Sequence, residues 1–363
     1  MHLKNILNTI IKGDTVEELK KIPTESVDFI FADPPYFMQT EGELLRTDGT
    51  KFNGVEDEWD KFDSFYEYDN FCNNWLKECK RILKKDGSIC IIGSFQNIFR
   101  IGYLMQNLEF WIINDIIWNK SNPVPNFSGI RLCNSHETMI WCSKNKKSKI
   151  TFNYKTMKYL NDGKQEKSVW NIPVCNGNER LKDTNGNKLH STQKPEKLLY
   201  KIILAATKPN DVILDPFFGT GTTGAVAKEL GRNYIGIERE EKYIEGAKIR
   251  INAKKVIIDK ISNLELETKP PKVPMKKLLE NGYIQKGQKL YSKDKRQFCE
   301  ILENGNVFDG TEELSIHKMS AKFLNKKNNN GWNYFFLNYN GEYIELDKLR
   351  YLYVEENDAK QTR

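Results

Sequence analysis

The feature that most constrains the fold is a glycine-containing loop between an apolar run and a helical segment. Val212–Leu214 is predicted to be a buried strand, and it leads into Asp215-Pro216-Phe217-Phe218-Gly219-Thr220-Gly221 and then a predicted helix. Glycine lets the backbone bend and approach a ligand closely. Open α/β sheets bind ligands at the carboxyl ends of their strands. The loop alone fits any nucleotide-binding α/β fold.

The strand that follows this loop narrows the choice of ligand. It ends at Glu238, about 20 residues further on, where an acid can accept hydrogen bonds from both hydroxyls of a ribose. No lysine of the phosphate-binding-loop kind follows the glycines, which disfavours a phosphate transferase. The loop and the acid therefore predict a pocket for S-adenosylmethionine, with Asp215 near its methionine ammonium.

Another apolar run, Val27–Ala32, ends in Asp33-Pro34-Pro35-Tyr36. Two prolines make a stiff turn without two backbone donors, so Asp33 and the carbonyl of Pro34 could accept the hydrogens of an exocyclic amine while Tyr36 stacks on a base. Such a base must first leave the duplex. Positioning would supply most of the catalysis, and no strong base is required. The alternative is a plain loop that ends a strand.

Strands and helices alternate along the first two thirds of the chain, which predicts an α/β fold: a mostly parallel sheet with helices on both faces. Lys85-Asp86-Gly87 is predicted to be a turn. Strands are predicted at residues 7–11, 27–32, 88–92, 112–119, 137–142, 212–214 and 234–237, and helices at 15–21, 68–83, 98–107, 198–207, 222–230 and 240–255.

Composition excludes several classes of protein. Seven cysteines without C-x-x-C spacing favour reduced thiols and a cytoplasmic protein over a disulfide framework or a zinc site. The four histidines form no H-E-x-x-H pattern, so no metal is expected. No apolar run approaches the roughly 20 residues of a membrane span, and no membrane association is expected.

The net charge of +7 is modest, but lysines cluster. Lys144, Lys146 and Lys147 open one basic stretch with interleaved aromatic residues, and the C-terminal part carries a second. Such clusters suit a polyanion such as DNA. A solvated surface is the alternative.

Changes in composition and in the pattern of predicted strands and helices indicate where domains begin and end. Residues 1–262 are predicted to be a catalytic domain with a target-recognition segment at about 144–190, residues 263–274 a proline-rich linker, and residues 275–363 a small α+β DNA-binding domain. Asn304-Gly305 and Asn340-Gly341 predict hairpins in the last part. The long insert at residues 37–63 is predicted to be functional or mobile.

With these motifs the chain resembles the β-group of amino-methyltransferases that act on DNA, in which the catalytic motif precedes the cofactor motif. Within that group it is similar to the branch that methylates adenine N6 in GANTC, both in restriction–modification systems and as cell-cycle-regulated enzymes. The resemblance runs nearly end to end. It also includes Gly13-Asp14, Ile92-Gly93-Ser94, Asn119-Lys120-Ser121-Asn122-Pro123, Asn134-Ser135-His136-Glu137-Thr138, Thr192-Gln193-Lys194-Pro195, Leu314-Ser315-Ile316-His317-Lys318 and Gly331-Trp332.

The resemblance implies a circularly permuted, Rossmann-like S-adenosylmethionine-dependent methyltransferase fold with a seven-stranded sheet. It implies double-stranded DNA as substrate, base flipping, direct in-line attack, a homodimer and a partner restriction endonuclease; an orphan regulatory enzyme is the alternative. The implied catalytic residues are Asp33, Pro34, Pro35 and Tyr36. The implied cofactor residues are Asp14, Phe31, Ala32, Asp33, Thr192, Lys194, Asp215, Phe217, Gly219, Thr220, Gly221 and Glu238. The predicted DNA contacts are Arg46, Ser94, Asn122, Lys144, Lys146, Lys147, His317, Lys318, Asn330 and Trp332.

Several alternatives stay open. Cytosine-N4 enzymes usually carry Ser at the position of Asp33, and enzymes acting on a protein glutamine carry Asn. A DNA-binding protein that has lost catalysis is the alternative from another class. His136 is interpreted as structural, and His317 as either a phosphate contact or surface. Trp332 could stack on an unpaired base or belong to a core.

Overall fold

The structure is a computed structural model that describes residues 1–37, 44–45, 51–52, 60–126, 129–257 and 271–361. The chain divides into two compact units, Met1–Glu265 and Leu266–Arg363. Most of the predicted linker, residues 263–270, lies outside the described residues. Within the described ranges, no helix combines the length and the apolar character that crossing a bilayer requires.

An eight-stranded sheet forms the centre of the first unit. Its spatial order is β1-β10-β9-β2-β5-β7-β6-β8, and β7 runs antiparallel to both neighbours while every other pair is parallel. The strands are β1 Thr9–Lys12, β2 Val27–Ala32, β5 Leu83–Gly93, β6 Trp111–Lys120, β7 His136–Ser143, β8 Val169–Ile172, β9 Val212–Asp215 and β10 Asn233–Glu238, and a separate pair is β3 Leu44–Leu45 with β4 Lys51–Phe52.

The eighth strand was not among the seven predicted. β8 lies in a polar stretch of the chain, and only Trp170 and Ile172 of its four residues are buried. Two alternating apolar residues are too short a signal to predict a strand. The predicted turn Lys85–Gly87 was also wrong: it lies inside β5, where the register steps from Leu83 opposite Val27 to Ser88 opposite Phe29.

Helices cover both faces of this sheet, as predicted. Side chains alternate along a strand, so Phe29 and Phe31 of β2 pack into one core and Ile30 and Ala32 into the other. The first core receives α4 Tyr154–Leu160, α5 Glu196–Ala206, α6 Thr222–Glu229 and α7 Glu241–Ala253, and the second receives α1 Thr15–Lys21, α2 Phe65–Ile82 and α3 Ile98–Asn107. Short 3-10 turns lie at Leu3–Asn5 and Gly177–Glu179.

The second unit is an antiparallel sheet with helices, which matches the predicted α+β class. Its strand order is β14-β13-β12-β11-β15-β16. Asn340 (φ 52°) and Gly341 (φ 88°) connect β15 to β16 as the predicted hairpin turn. The elements are α8 Met275–Glu280, β11 Lys289–Tyr291, β12 Phe298–Ile301, β13 Val307–Phe308, β14 Glu313–Leu314, α9 Ile316–Phe323, α10 Gly331–Tyr334, β15 Phe336–Tyr339, β16 Glu342–Glu345 and α11 Lys348–Gln361.

Candidate active site

The two motifs meet at one edge of the large sheet. β2 and β9 are parallel neighbours, with Phe29 opposite Ile213 and Ile30 opposite Leu214, so the loops after them leave the same edge. A cavity of about 340 Å³ lies between these loops. Of the predicted catalytic and cofactor residues, those that line it are Asp14, Phe31, Asp33, Pro34, Pro35, Tyr36, Thr192, Lys194, Asp215, Phe217, Gly219, Thr220 and Glu238. Ala32 and Gly221 are chain neighbours of lining residues.

The glycine loop bends as its composition predicts. Gly219 and Gly221 have φ values of 50° and 73°, and Gly221 caps the start of α6. The ring of Phe218 packs flat on the strand beneath, where a Cβ at Gly236 would lie 2.4 Å from it. The loop is therefore held tightly against β10, with its backbone facing the cavity.

Two acids bracket this loop. Glu238 accepts hydrogen bonds from the backbone N–H groups of Gly219 (2.7 Å), Arg239 (2.8 Å) and Glu240 (2.8 Å), yet burial raises its pKa. Asp215 is buried and accepts from the backbone N–H of Phe217 (3.0 Å). Its other oxygen accepts from the Thr223 hydroxyl (2.6 Å), and burial raises its pKa to about 7. Both acids gain from a ligand that donates hydrogen bonds or carries positive charge.

Asp33 lies at the centre of a hydrogen-bonded cluster. Its Oδ1 accepts the hydroxyl hydrogen of Tyr36 (2.9 Å), and its Oδ2 accepts from the ammonium of Lys194 (2.7 Å). Burial raises the pKa of Asp33, and Lys194 opposes that rise. The turn is fixed from behind, because Asp60 accepts from the backbone N–H of Tyr36 (2.5 Å) and the Tyr68 hydroxyl donates to the carbonyl of Pro35 (2.8 Å).

Three of the polar residues at this edge had no predicted role. Glu137, the second residue of β7, approaches both Tyr36 and Lys194. His190 borders the cavity beside Gly219, and burial, reinforced by Lys194, lowers its pKa to about 3, so its ring is neutral. Asp60 anchors the catalytic turn as described. Two signals pointed to Glu137: it lies in one of the motifs of the family resemblance, and it is an acid at the start of a mostly apolar predicted strand.

The first basic cluster lies at the edge of the large sheet opposite the catalytic turn. β7 runs antiparallel to β5, with Ser143 opposite Ser88, so Lys144, Lys146 and Lys147 follow β7 at the opposite edge from Asp33. Lys144 there donates to the carbonyl of Leu83 (2.6 Å) and pairs with Glu25 (2.9 Å), and Lys146 lies over the ring of Trp111 (5.0 Å). These three lysines therefore lie away from Asp33, and their contact with DNA stays a prediction.

Other predicted DNA contacts fall in different surroundings. Ser94 follows β5 at the same edge as Asp33, but it is buried and accepts from the backbone N–H of Gln96 (3.2 Å). Asn122 is exposed, and its side-chain oxygen accepts from the backbone N–H of Val174 (2.8 Å). Arg46 lies outside the described residues.

The second unit corrects one further prediction. Trp332 is only 6% exposed, belongs to the core of its unit and has the guanidinium of Arg350 4.3 Å from its ring centroid. This placement supports the core alternative and not base stacking. Asn330 caps α10 by accepting from the backbone N–H of Trp332 (3.2 Å). His317 and Lys318 are exposed on α9.

Metal chemistry has no candidate ligand set here. Among the residues that the structure describes, no group of three or more His, Cys, Asp or Glu side chains could hold a metal ion. The candidate site therefore consists of hydrogen-bonding acids, one buried lysine, aromatic rings and a glycine bend.

Two family models match the chain. Residues 27–249 match the N6/N4 family described as DNA methylase, and residues 258–359 match the family described as Restriction Enzyme Adenine Methylase Associated. The chain is 65% identical over 355 residues to the type II methyltransferase M.HinfI of Haemophilus influenzae, covering 98% of this chain and 99% of that protein. It is 44% identical over 244 residues to the type II methyltransferase M2.LlaDCHI of Lactococcus lactis subsp. cremoris, covering 67% and 88%.

Solved structures share the fold of the first unit. The M1.HpyAVI–SAM complex has a TM-score of 0.51 at 28% identity, covering 67% of this chain and 98% of that one. The cytosine-N4-specific PvuII DNA methyltransferase has a TM-score of 0.53 at 22% identity, covering 70% and 90%, which supports the fold alone. The predicted Rossmann-like fold is confirmed.

Proposed function

Because the chain belongs to the N6/N4 DNA methylase family, we propose that it transfers a methyl group to N6 of adenine in double-stranded GANTC. The predicted resemblance to DNA amino-methyltransferases is confirmed by the family match and by 65% identity along nearly the whole of M.HinfI. That same identity supports the GANTC target and a place in a restriction–modification system. A homodimer, a partner nuclease and target recognition by residues 144–190 stay predictions.

The cofactor is S-adenosylmethionine, the ligand in whose complex M1.HpyAVI was solved. Its fit is supported by a cavity of about 340 Å³ between the glycine bend and the catalytic turn. Glu238 would accept from the ribose hydroxyls and Asp215 would face the methionine ammonium, each an acid whose burial favours a donor or a cation. When bound, the cofactor supplies a methyl group on a positively charged sulfur.

The residues of the catalytic turn act on the target base. Asp33 and the carbonyl of Pro34 accept hydrogen bonds from the two N–H groups of the adenine amino group. These hydrogen bonds localise the lone pair on the amino nitrogen, which is otherwise delocalised into the ring, and so make that nitrogen nucleophilic. Tyr36 offers its ring face to the flipped base. Positioning supplies most of the rate, because a correctly oriented pair of reactants reacts as one molecule.

One observation carries this proposal: Asp33 lines the same cavity as the glycine bend and Glu238. The test incubates the purified protein with S-adenosylmethionine and a duplex that contains one GANTC site. We expect N6-methyladenine at that adenine and protection from a GANTC nuclease. The matched control is a duplex with one base pair of the site changed. Methylated cytosine N4, an unmodified duplex or equal methylation of both duplexes would refute the proposal.

Cofactor affinity is expected to rise with pH across the pKa of Asp215. This pKa is about 7 because the carboxyl is buried, so below that pH the acid must lose a proton before it can pair with the ammonium. Affinity should therefore gain up to about tenfold per pH unit on the acid side and level off above it. Calorimetric titration from about pH 6 to about pH 8 measures this. Asp215→Asn should bind weakly without the pH dependence; an equal dependence in that variant would contradict the assignment.

Removing the second unit is expected to weaken DNA binding. A chain cut before Pro271 keeps the eight-stranded sheet and both of its cores, since the second unit has a separate core. His317 and Lys318 would be lost with the predicted DNA-binding domain. We expect at least about a tenfold loss of affinity for a GANTC duplex, with cofactor affinity unchanged as the control. Methylation by the shortened chain at the full rate would show that the second unit is dispensable.

A further inference from the structure

A largely buried acid beside the catalytic turn has no part in the function proposed so far. Glu137 is the second residue of β7, and its side chain is 11% exposed. Its Oε1 pairs with the ammonium of Lys120 (2.8 Å). Its Oε2 lies 3.0 Å from the Tyr36 hydroxyl and 3.8 Å from the ammonium of Lys194. Burial acts to raise the pKa of Glu137, but Lys194 and Lys120 outweigh burial and lower it, so Glu137 carries a negative charge.

Glu137 and Asp33 compete for the same hydroxyl hydrogen. The Tyr36 hydroxyl has one hydrogen to donate. Asp33 Oδ1 lies 2.9 Å from the phenol oxygen, and Glu137 Oε2 lies 3.0 Å from it. A rotation of the hydroxyl, without movement of the ring, passes the hydrogen bond from one carboxylate to the other.

Lys194 stands between the same two acids. Its ammonium lies 2.7 Å from Asp33 Oδ2 and 3.8 Å from Glu137 Oε2, and its side chain is 7% exposed. An ammonium has three hydrogens on a flexible stem. It can shift toward Glu137 by a small rotation and keep an ionic partner.

Each oxygen of Asp33 thus already accepts one hydrogen bond, from Tyr36 on Oδ1 and from Lys194 on Oδ2. The proposed function requires this carboxylate to accept a hydrogen from the adenine amino group. An oxygen that already accepts from a charged ammonium or a hydroxyl is a weaker acceptor for another donor. The two donors need a second acceptor within reach, and Glu137 is within reach of both.

We propose that Glu137 is a positioning residue that takes over the Tyr36 hydroxyl and the Lys194 ammonium when the target amino group binds Asp33. This inference rests on the proposed adenine methylation. Glu137 touches neither the cofactor nor the base; it frees Asp33 and keeps the ring of Tyr36 in place.

A double-mutant cycle between Glu137 and Tyr36 tests this inference. Glu137→Leu, Tyr36→Phe and the double variant are compared by single-turnover methylation with saturating cofactor and GANTC duplex. Glu137→Leu is expected to slow transfer on the order of 100-fold, since it misplaces the reacting groups. The Tyr36→Phe variant keeps the ring without the hydroxyl. In that background Glu137→Leu should lower the methylation rate by a several-fold smaller factor, because one of the two donors is gone.

The pH profile of Glu137→Gln provides a readout that a purely structural role would not move. The groups that face Glu137 are Tyr36, Asp33, Lys120 and Lys194. On the acid side of the pH–rate profile, the acid limb, the single-turnover rate is expected to rise with pH as Asp33 loses its proton. The charge of Glu137 raises the pKa of Asp33, so removing that charge should shift this acid limb to lower pH. The Gln side chain still accepts the hydroxyl hydrogen, so this variant should be faster than Glu137→Leu.

Glu166→Gln is the matched control, because Glu166 is similarly exposed (12%) and pairs with a lysine, Lys201 (2.9 Å), but is not one of the groups that face Asp33 and Tyr36. It should leave the acid limb in place. The inference about Glu137 would be overturned by additive losses of rate in the double-mutant cycle, or by an acid limb that does not move in Glu137→Gln. Adenine methylation by the wild type would uphold the proposed function in either case. If Glu137→Leu does not fold, the Gln profile decides. Absence of wild-type adenine methylation would overturn both.

Discussion

Asp33→Ala is expected to abolish methyl transfer while the protein still binds DNA. The change removes one of two acceptors for the amino hydrogens, and it also releases Tyr36 and Lys194, which Asp33 holds at 2.9 and 2.7 Å. Loss of one preorganised electrostatic contact at a reacting group typically costs about 100- to 1000-fold in rate, and here two further groups lose their partner. Single-turnover methylation with radiolabelled cofactor measures the loss.

Two controls make this result interpretable. DNA affinity of Asp33→Ala should stay within about threefold of wild type, since at most one contact, to the target base, is lost. Asp63→Ala changes an acid at the end of the insert of residues 37–63. Asp63 is not among the residues that line the cavity, so this variant should keep near-normal activity. Loss of DNA binding together with activity in Asp33→Ala would mean that Asp33 is structural.

Lys194→Met is expected to have the second largest effect, on stability as well as on rate. The buried Lys194 pairs with two partly buried carboxylates, Asp33 (19% exposed) and Glu137 (11%). Breaking a fully buried pair typically costs about 3–5 kcal/mol because the remaining charge is uncompensated, and the partial exposure of these acids puts the expected cost below that range. Without the ammonium, which lowers it, the pKa of Asp33 rises further above that of the unfolded chain. The acid limb of the methylation rate should therefore move to higher pH.

The sign of the stability change follows from the same pKa. Below the pKa of an aspartate in an unfolded chain, about 3.9, Asp33 is protonated in both the folded and the unfolded state. There its ionisation contributes little to the change in the free energy of unfolding caused by Lys194→Met. The penalty appears as pH rises through the folded-state pKa of Asp33 in the wild type, because there the acid ionises beside Lys194 but stays protonated in the variant. Denaturant midpoints at acid and neutral pH measure this. Lys201→Met, which breaks the Glu166 pair at 2.9 Å, is the control; an equal shift of the acid limb there would contradict the argument.

Local patterns predicted several elements well. Thr15–Lys21, Val27–Ala32 and Ile98–Asn107 have the predicted bounds, because each combines a clear apolar period with a punctuating residue at its end. Both motif loops were assigned correctly to strand ends, since their chemistry depends only on neighbours in sequence.

Properties that depend on distant parts of the chain were not predictable in this way. The position of Lys144 follows from the antiparallel direction of β7, which charge clustering does not reveal. The surroundings of Glu137 are made by Tyr36 and Lys194, which are remote in sequence. Trp332 lies in a stretch rich in asparagine, and its place in a core follows from packing against residues that are remote in sequence.

The direct pairing of β2 with β9 has a consequence for how such a chain can be assembled. Neighbouring strands lie about 4.8 Å apart whatever route the chain takes between them. The separation of the catalytic turn from the glycine bend is thus set by one row of backbone hydrogen bonds, not by the connecting sequence. A rearranged gene could encode a chain that begins at a different loop and has the present ends joined. The catalytic turn and the glycine bend would keep their spacing in such a chain.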